Sequence, residues 1–334
     1  MQRKFEIRPQ FPILVTGLLL LLTQKTSTVN TKAAILAGLC CCMLQYATSQ
    51  YYYYNDTYYD KDFLFEINAS GGAMNALTDI GGHSGRGKGF VKDLNLSATS
   101  PCGSIGAGLL YCYTLGLKLT CTYGTVTGTD AVLRDDQTDA KYRYNRNLNF
   151  QSPVAEVAVL GELFFLQALA NVSGEKRLLC SPYILGGIGI FHFNPQADFN
   201  GIRIALKPLH TEGQGFAEYP DHSEYRLTAL AFPIGVGLRY DLSAAFHIRF
   251  EVLHRITTTD YLDDVSTQYI DPALFNKYLT ADNAQLAMAL SDRQAELNGL
   301  HSTQPGSIRG KSNKKDSYFS VELKIGLTLG RERR

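Results

Sequence analysis

From Phe63 onward the apolar positions of the chain recur every second residue, the spacing of strands whose two faces meet different surroundings. Phe63, Phe65, Ile67 and Ala69 alternate with Leu64, Glu66, Asn68 and Ser70. Ile105, Ala107, Leu109, Tyr111 and Tyr113 stand against Ser104, Gly106, Gly108, Leu110 and Cys112, and Leu115, Leu117, Leu119, Cys121 and Tyr123 against Gly116, Lys118, Thr120, Thr122 and Gly124. Val157, Val159, Leu163 and Phe165 oppose Glu156 and Glu162, and a Gly-rich segment follows at about 182–193. Leu230, Phe232, Ile234, Val236, Leu238 and Tyr240 oppose Pro233, Gly235, Gly237 and Arg239. Phe246, Ile248, Phe250 and Val252 oppose His247, Arg249, Glu251 and Arg255. Phe319, Val321, Leu323, Ile325 and Leu327 oppose Ser320, Glu322, Lys324, Gly326 and Thr328. The pattern predicts eight strands, each long enough for the ~9–11 residues that a tilted membrane strand needs.

The connections carry a second signal. Those at 74–100, 127–149, 194–225 and 257–317 are long, and those at 114, 167–179 and 241–244 are shorter. Long and short alternate strictly, as in outer-membrane barrels with long external loops and short periplasmic turns. The predicted fold is an all-β, eight-stranded antiparallel transmembrane barrel with both termini in the periplasm. In this fold the apolar faces meet lipid, where only a closed sheet pairs every backbone group.

The opposite faces place Glu66, Glu156, Glu162, Glu251 and Glu322 inside the barrel with Lys118, Arg239, Arg249, Arg255 and Lys324. Five acids and five bases suit a barrel of eight strands, whose interior is filled by side chains, and buried charges need partners to offset their desolvation. These ten are read as a structural network in the lumen, with no catalytic role. The last long loop is expected to be partly helical: Asp271 caps a first helix with Pro272 at its start. Thr280 caps a second over 281–298, ended by Gly299, with Leu286, Met288, Ala289 and Leu290 packed over the barrel mouth.

The N-terminus adds an export address. Lys32, the apolar run 33–44 and the small residues Ala47 and Ser49 have the form of a cleavable signal peptide. Residues 1–49 are read as a leader whose true start lies near Val29, residues 50–62 as a Tyr-rich periplasmic tail, and residues 63–330 as the barrel domain. Of the 334 residues 19% are charged, 45% are apolar and none is Trp; removing the leader takes the formal net charge from +1 to −3. No basic patch points to nucleic acid. Cys102, Cys112, Cys121 and Cys180 remain, too few for a disulfide scaffold. Cys112 is expected to face inward and Cys121 outward, so no bridge is predicted.

Candidate chemistry is sparse. The run Gly81-Gly82-His83-Ser84-Gly85-Arg86-Gly87-Lys88-Gly89 lacks the Gly-Lys-Ser/Thr ending of a phosphate-binding loop and reads as a flexible loop. His210-Thr211-Glu212 is not followed by Pro-Cys-x-x-Cys and reads as a tight turn beside Gly213 and Gly215. Asp260, Asp263 and Asp264 carry the oxygens a calcium ion takes but lack EF-hand spacing, so a hydrogen-bonded strand end is the expectation. No catalytic, cofactor or metal residues are assigned, no cofactor is implied, and the chain is read as no enzyme.

Several segments resemble a known family. They are Met74-Asn75-Ala76-Leu77-Thr78-Asp79-Ile80-Gly81-Gly82, then Arg146-Asn147-Leu148-Asn149-Phe150 with Glu156 and Gly161-Glu162-Leu163, then the segment from Pro182 to Pro195. Leu206 to Gly215 and Thr259 to Ser266 complete the set. Over about residues 60–330 they look like the PorG-type outer-membrane barrels of Bacteroidetes. The resemblance implies a type IX secretion role, in which the barrel associates with periplasmic ring subunits. The expected function is therefore a non-enzymatic accessory or anchoring component of protein export in the outer membrane, with lipid and ring subunits as partners. The alternative is a surface module binding through its long loops.

Overall fold

Alternation of this kind closes on itself when enough strands pair. The computed structural model describes residues 58–81, 98–134, 141–173, 178–243, 245–299 and 303–333. The expected leader and most of the Tyr-rich tail and Gly-rich loop lie outside the described residues. The strands are β1 (Tyr58–Leu77), β2 (Ser100–Tyr111), β3 (Leu115–Thr129), β4 (Asn149–Leu163), β5 (Cys180–Phe193), β6 (Gln196–Phe199), β7 (Ile202–Ala205), β8 (Thr228–Asp241), β9 (Phe246–Thr257) and β10 (Ser317–Arg333). All pairs are antiparallel, in the order β3-β2-β1-β10-β9-β8-β5-β4. Pairing of β3 with β4, from Leu115 opposite Leu163 to Thr129 opposite Asn149, closes an eight-stranded barrel. β6 and β7 form a hairpin within the third long loop, touching β4 through Gln151 and Gln196.

The expected faces are observed. Outward Ile105, Leu117 and Ile325 are 57–64% exposed, whereas inward Glu66, Lys118 and Arg249 are 1–4% exposed. This inverts the usual protein, with apolar side chains outside and charges inside. Inward glycines make room for the long charged and aromatic chains, since an eight-stranded lumen has no space to spare. A Cβ on Gly237 would stand 2.3 Å from Cζ of Tyr183, one on Gly326 2.1 Å from the His247 ring, and one on Gly116 2.7 Å from the Glu162 carboxylate.

Four details depart from the sequence reading. β1 starts at Tyr58, so residues 58–62 join the sheet and Tyr58 pairs with Arg333; the register shifts between Asp60 and Phe65, opposite Gly330 at φ +100°. Cys112 and Tyr113 do not continue the β2 alternation but form the turn, at φ 46° and 57°, because reversing the chain in so few residues takes left-handed backbone. Cys112 is therefore half-exposed in the turn, not inside the lumen, and Tyr113 swings inward beneath the guanidinium of Arg239 at 6.0 Å. Phe165 is not the end of a strand. Among the described residues two α-helices precede the fourth loop, α1 (Lys141–Arg146) and α2 (Phe165–Val172), and α2 starts at Phe165, ahead of the short connection expected at 167–179.

The fourth departure lies in the last loop, which holds α3 (Ala273–Tyr278), α4 (Ala281–Ser291) and α5 (Ala295–Asn298). The single helix expected over 281–298 is broken after Ser291, whose carbonyl accepts from Arg309 Nε (3.2 Å), while the Asp292 carboxylate accepts from Gln294 N (3.0 Å). Gly299 ends α5 at φ +70°. Ala284, Ala287 and Leu290 pack with Leu209, Phe216 and Phe275 into a small core, with Leu286 and Met288 at its edge. A second core, with Met74, Phe150, Phe191, Phe193, Leu262 and Tyr318, roofs the lumen.

Substituting Gly237→Ala should destabilise the barrel by about 1–3 kcal/mol through overpacking against the Tyr183 ring. Gly71→Ala, with nothing within 4 Å of the added carbon, should leave the denaturant midpoint in lipid unchanged. Equal midpoints for both variants would show that the glycine is not needed for packing.

Candidate functional site

The ten charged residues read from the sequence all lie inside the barrel and touch one another. Starting at the end of the short β8–β9 turn, Asp241 pairs with Arg239 (2.9 Å), Arg239 with Glu66 (2.6 Å), Glu66 with Arg249, and Arg249 with Glu162 (2.9 Å). Glu162 holds Lys118 (2.7 Å), which holds Glu251 (2.6 Å). Glu251 meets Lys324 (3.1 Å), Lys324 meets Glu322 (3.3 Å), Glu322 meets Arg255 (3.7 Å), and Arg255 ends the series on Glu156 (2.9 Å). Signs alternate without interruption from Asp241 to Glu156. Each interior ion thus has an opposite charge on both sides, the arrangement that best offsets removal from water.

Asp241, the first residue of the connection expected at 241–244, belongs to the lumen series as well. The two-residue step from Arg239 placed it on the inward face, so the signal was present. Hydroxyls complete the series: Tyr183 donates to Glu251 (2.7 Å), Tyr318 to Glu156 (2.6 Å), Ser104 to Glu322 (2.7 Å) and Ser320 to Glu322 (2.7 Å). The void among Glu66, Asn68, Lys118, Glu162 and Arg249 is about 10 Å³, room for one water at most. The lumen is packed.

Above the barrel the long loops are tied together by two buried arginines. Arg146 donates from Nε and Nη2 to both oxygens of Asp130 (2.9 Å each), from Nη1 to the carbonyl of Arg309 (2.5 Å) and from Nη2 to that of Asp79 (2.7 Å). Such forked pairing is what the planar guanidinium supplies. Arg309 donates to Glu212 Oε1 (2.9 Å) and to the carbonyl of Asp264 (2.7 Å). Glu212 also accepts from the backbone of Ser266 (3.0 Å) and Thr267 (2.9 Å). All four long loops are joined this way. Arg309 and Asp130 carried no motif or period and were not singled out from the sequence.

The three aspartates considered for calcium do not converge. Asp260 accepts from Ser266 Oγ (2.6 Å), Asp263 from the amides of Ile80 (2.9 Å) and Val265 (3.0 Å), and Asp264 from Thr211 Oγ1 (2.5 Å) and Tyr225 Oη (2.6 Å). No group of three or more potential ligands that could hold a metal ion occurs among the described residues. Burial pushes these carboxyls up, Asp263 to about 8 with help from Asp79, Asp260 to about 7 and Asp264 to about 6. Asp316, beside Asp263 and Asp260, is also raised by burial. His210 and His222 are engaged by backbone carbonyls, of Gln214 (2.6 Å) and Glu212 (2.5 Å). In 210–215 the turn rests on His210, Gly213 and Gly215 at positive φ. His83, His301 and Gly82 to Gly89 lie outside the described residues.

A closed sheet with a lipid-compatible exterior and a filled, charge-paired interior defines the class, an outer-membrane-type transmembrane β-barrel. Among solved structures the chain is similar to Ail, the attachment invasion locus protein of Yersinia pestis, in complex with the heparin analogue sucrose octasulfate. The identity is 8% and the TM-score 0.36, covering 80% of this chain and 100% of that one. It is also similar to Neisserial surface protein A (9%, TM-score 0.34, 81% and 99% covered). A third is the N-terminal barrel domain of Pseudomonas aeruginosa OprF (11%, TM-score 0.30, 81% and 100% covered). No family model matches the chain, and no curated protein does. The barrel is established by its own strand pairing.

Two outcomes follow from the cap. Its buried aspartates bind protons more tightly folded than unfolded, where aspartate titrates near 3.9. Their contribution is therefore full below about pH 4 and is lost as pH rises through about 6 to 8. Protection of the amides in 258–266, taken relative to the intrinsic base-catalysed exchange rate at each pH, should fall across that window, and Asp263→Asn should weaken the dependence; wild-type protection that stays constant with pH would contradict this. Glu212→Gln leaves Arg309 buried with a weakened partner and should cost the cap about 3–5 kcal/mol. Limited proteolysis should then cut 206–222 while heat-modifiable migration of the barrel persists; a cap as resistant as wild type would refute the clasp.

Proposed function

We propose that the chain is a non-enzymatic, non-conducting outer-membrane barrel that anchors an export assembly of the type IX kind, by contact with periplasmic ring subunits. The observation that carries the reading is the mutual bonding of the segments that resemble the PorG-type barrels. Asp79 and Ile80, Arg146, Thr211 and Glu212, and Asp263 to Ser266 lie far apart in sequence yet bond within one cap. That these segments meet in one place supports reading them together, as parts of a single cap. A packed lumen leaves the loops and the periplasmic rim as working surfaces, and the ten lumen charges serve structure. Crosslinked, detergent-solubilised envelopes should yield periplasmic ring lipoproteins with this chain, and its deletion should impair export. Recovery of no ring component together with normal export would sink the proposal.

A second reading, a surface binding module, is favoured by the separate core of the third and fourth loops, where Leu209 and Phe216 pack against Phe275 and Leu290. It expects trimming of 194–225 and 257–317 to abolish function while the barrel still assembles. Export that survives such trimming would count against it.

A further inference from the structure

The periplasmic end holds a helix that is inside out. α2 carries no charged residue; Gln167 faces the protein, whereas the large apolar side chains Phe165, Leu166, Leu169 and Val172 face away. Gln167 and Ala170 are buried. Gln167 accepts from Leu178 N (2.9 Å) and donates to Asn171 (2.8 Å), and Asn171 donates to the carbonyl of Cys112 in the β2–β3 turn (3.1 Å). Phe164 N, just ahead of the helix, donates to Thr114 O (2.8 Å). The opposite side presents Phe165 (40% exposed), Leu166 (40%), Leu169 (64%) and Val172 (88%). A surface helix in water does the reverse and buries its apolar stripe. A contiguous apolar face of this kind marks contact with a membrane or a protein.

We infer that α2 is an interfacial helix whose Phe165, Leu166, Leu169 and Val172 dip into the periplasmic leaflet of the membrane. The argument for lipid is continuity. The lower edge of the barrel's apolar band is formed by Phe63 opposite Tyr111, Tyr111 opposite Leu115, and Leu115 opposite Leu163. Phe165 stands two residues beyond Leu163, so the helix begins at that edge of the band. Phe63 and Tyr111, with ring centroids 4.8 Å apart, sit where barrels carry an aromatic girdle at the interface. A helix lying in this plane buries its apolar side about 5–10 Å deep at the boundary of headgroups and acyl chains. Its polar side meanwhile stays bonded to the turn and to Leu178. The inference rests on the barrel's placement in a membrane, and the test separates the two.

The chain contains no Trp, so one introduced Trp reports alone. The full-length protein is reconstituted in phosphatidylcholine vesicles with and without brominated acyl chains, as Leu169→Trp and Val172→Trp. The references are Leu119→Trp on the lipid face of β3 and Asn276→Trp on α3 in the cap, each checked for heat-modifiable migration. Both helix variants should emit to the blue and lose emission to bromine as Leu119→Trp does, with Asn276→Trp unaffected. Quenching of Leu119→Trp without quenching of either helix variant overturns the inference and gives this face to a periplasmic protein. No quenching of Leu119→Trp would remove the membrane placement itself, and the inference with it.

Discussion

An eight-stranded barrel turns half its side chains into a space that holds little else, and whatever is polar there has to find its partner on another stave. That constraint shapes the rest of the molecule. The unbroken alternation from Asp241 to Glu156 meets it with a single connected series, and the inward glycines leave room for the long charged and aromatic side chains that fill the lumen. Isolated buried pairs of this kind give little net stability. A connected series instead fixes which strand faces which, since a register slip of one residue would turn the charges toward lipid.

The cap solves the same problem with different chemistry. Its carboxylates are satisfied largely by backbone amides and hydroxyls, with Arg146 and Arg309 as the tying points. Amide and hydroxyl donors leave burial as the dominant influence on Asp260, Asp263 and Asp264, so the cap responds to protons near neutrality. The lower end differs again. There one helix holds Gln167 against the protein and leaves Phe165, Leu166, Leu169 and Val172 exposed.

What was legible in the sequence was whatever obeyed a two-residue period. Glu66, Lys118, Arg249 and their seven partners were readable as inward because each sits opposite an outward Leu, Ile, Val or Phe in the alternation. The strand count followed from the loops. Tyr113 was misread because periodicity does not show where a strand stops and a left-handed turn begins. The break after Ser291 was invisible because it depends on Arg309, remote from the helix in the chain. Arg309 and Asp130 were missed for the same reason: their role is defined by loops that meet only after the barrel has closed.

The lumen series also constrains how such a molecule can be made. Glu66 on β1 finds its guanidinium partners on β8 and β9, 173 and 183 residues away. A sheet that entered the bilayer strand by strand would carry that carboxylate unpaired in hydrocarbon, beside open backbone edges, until the last staves were in place. Non-local pairing of this order is slow. Insertion and closure are therefore one event, and half of this barrel is not a smaller barrel but a species the membrane does not admit.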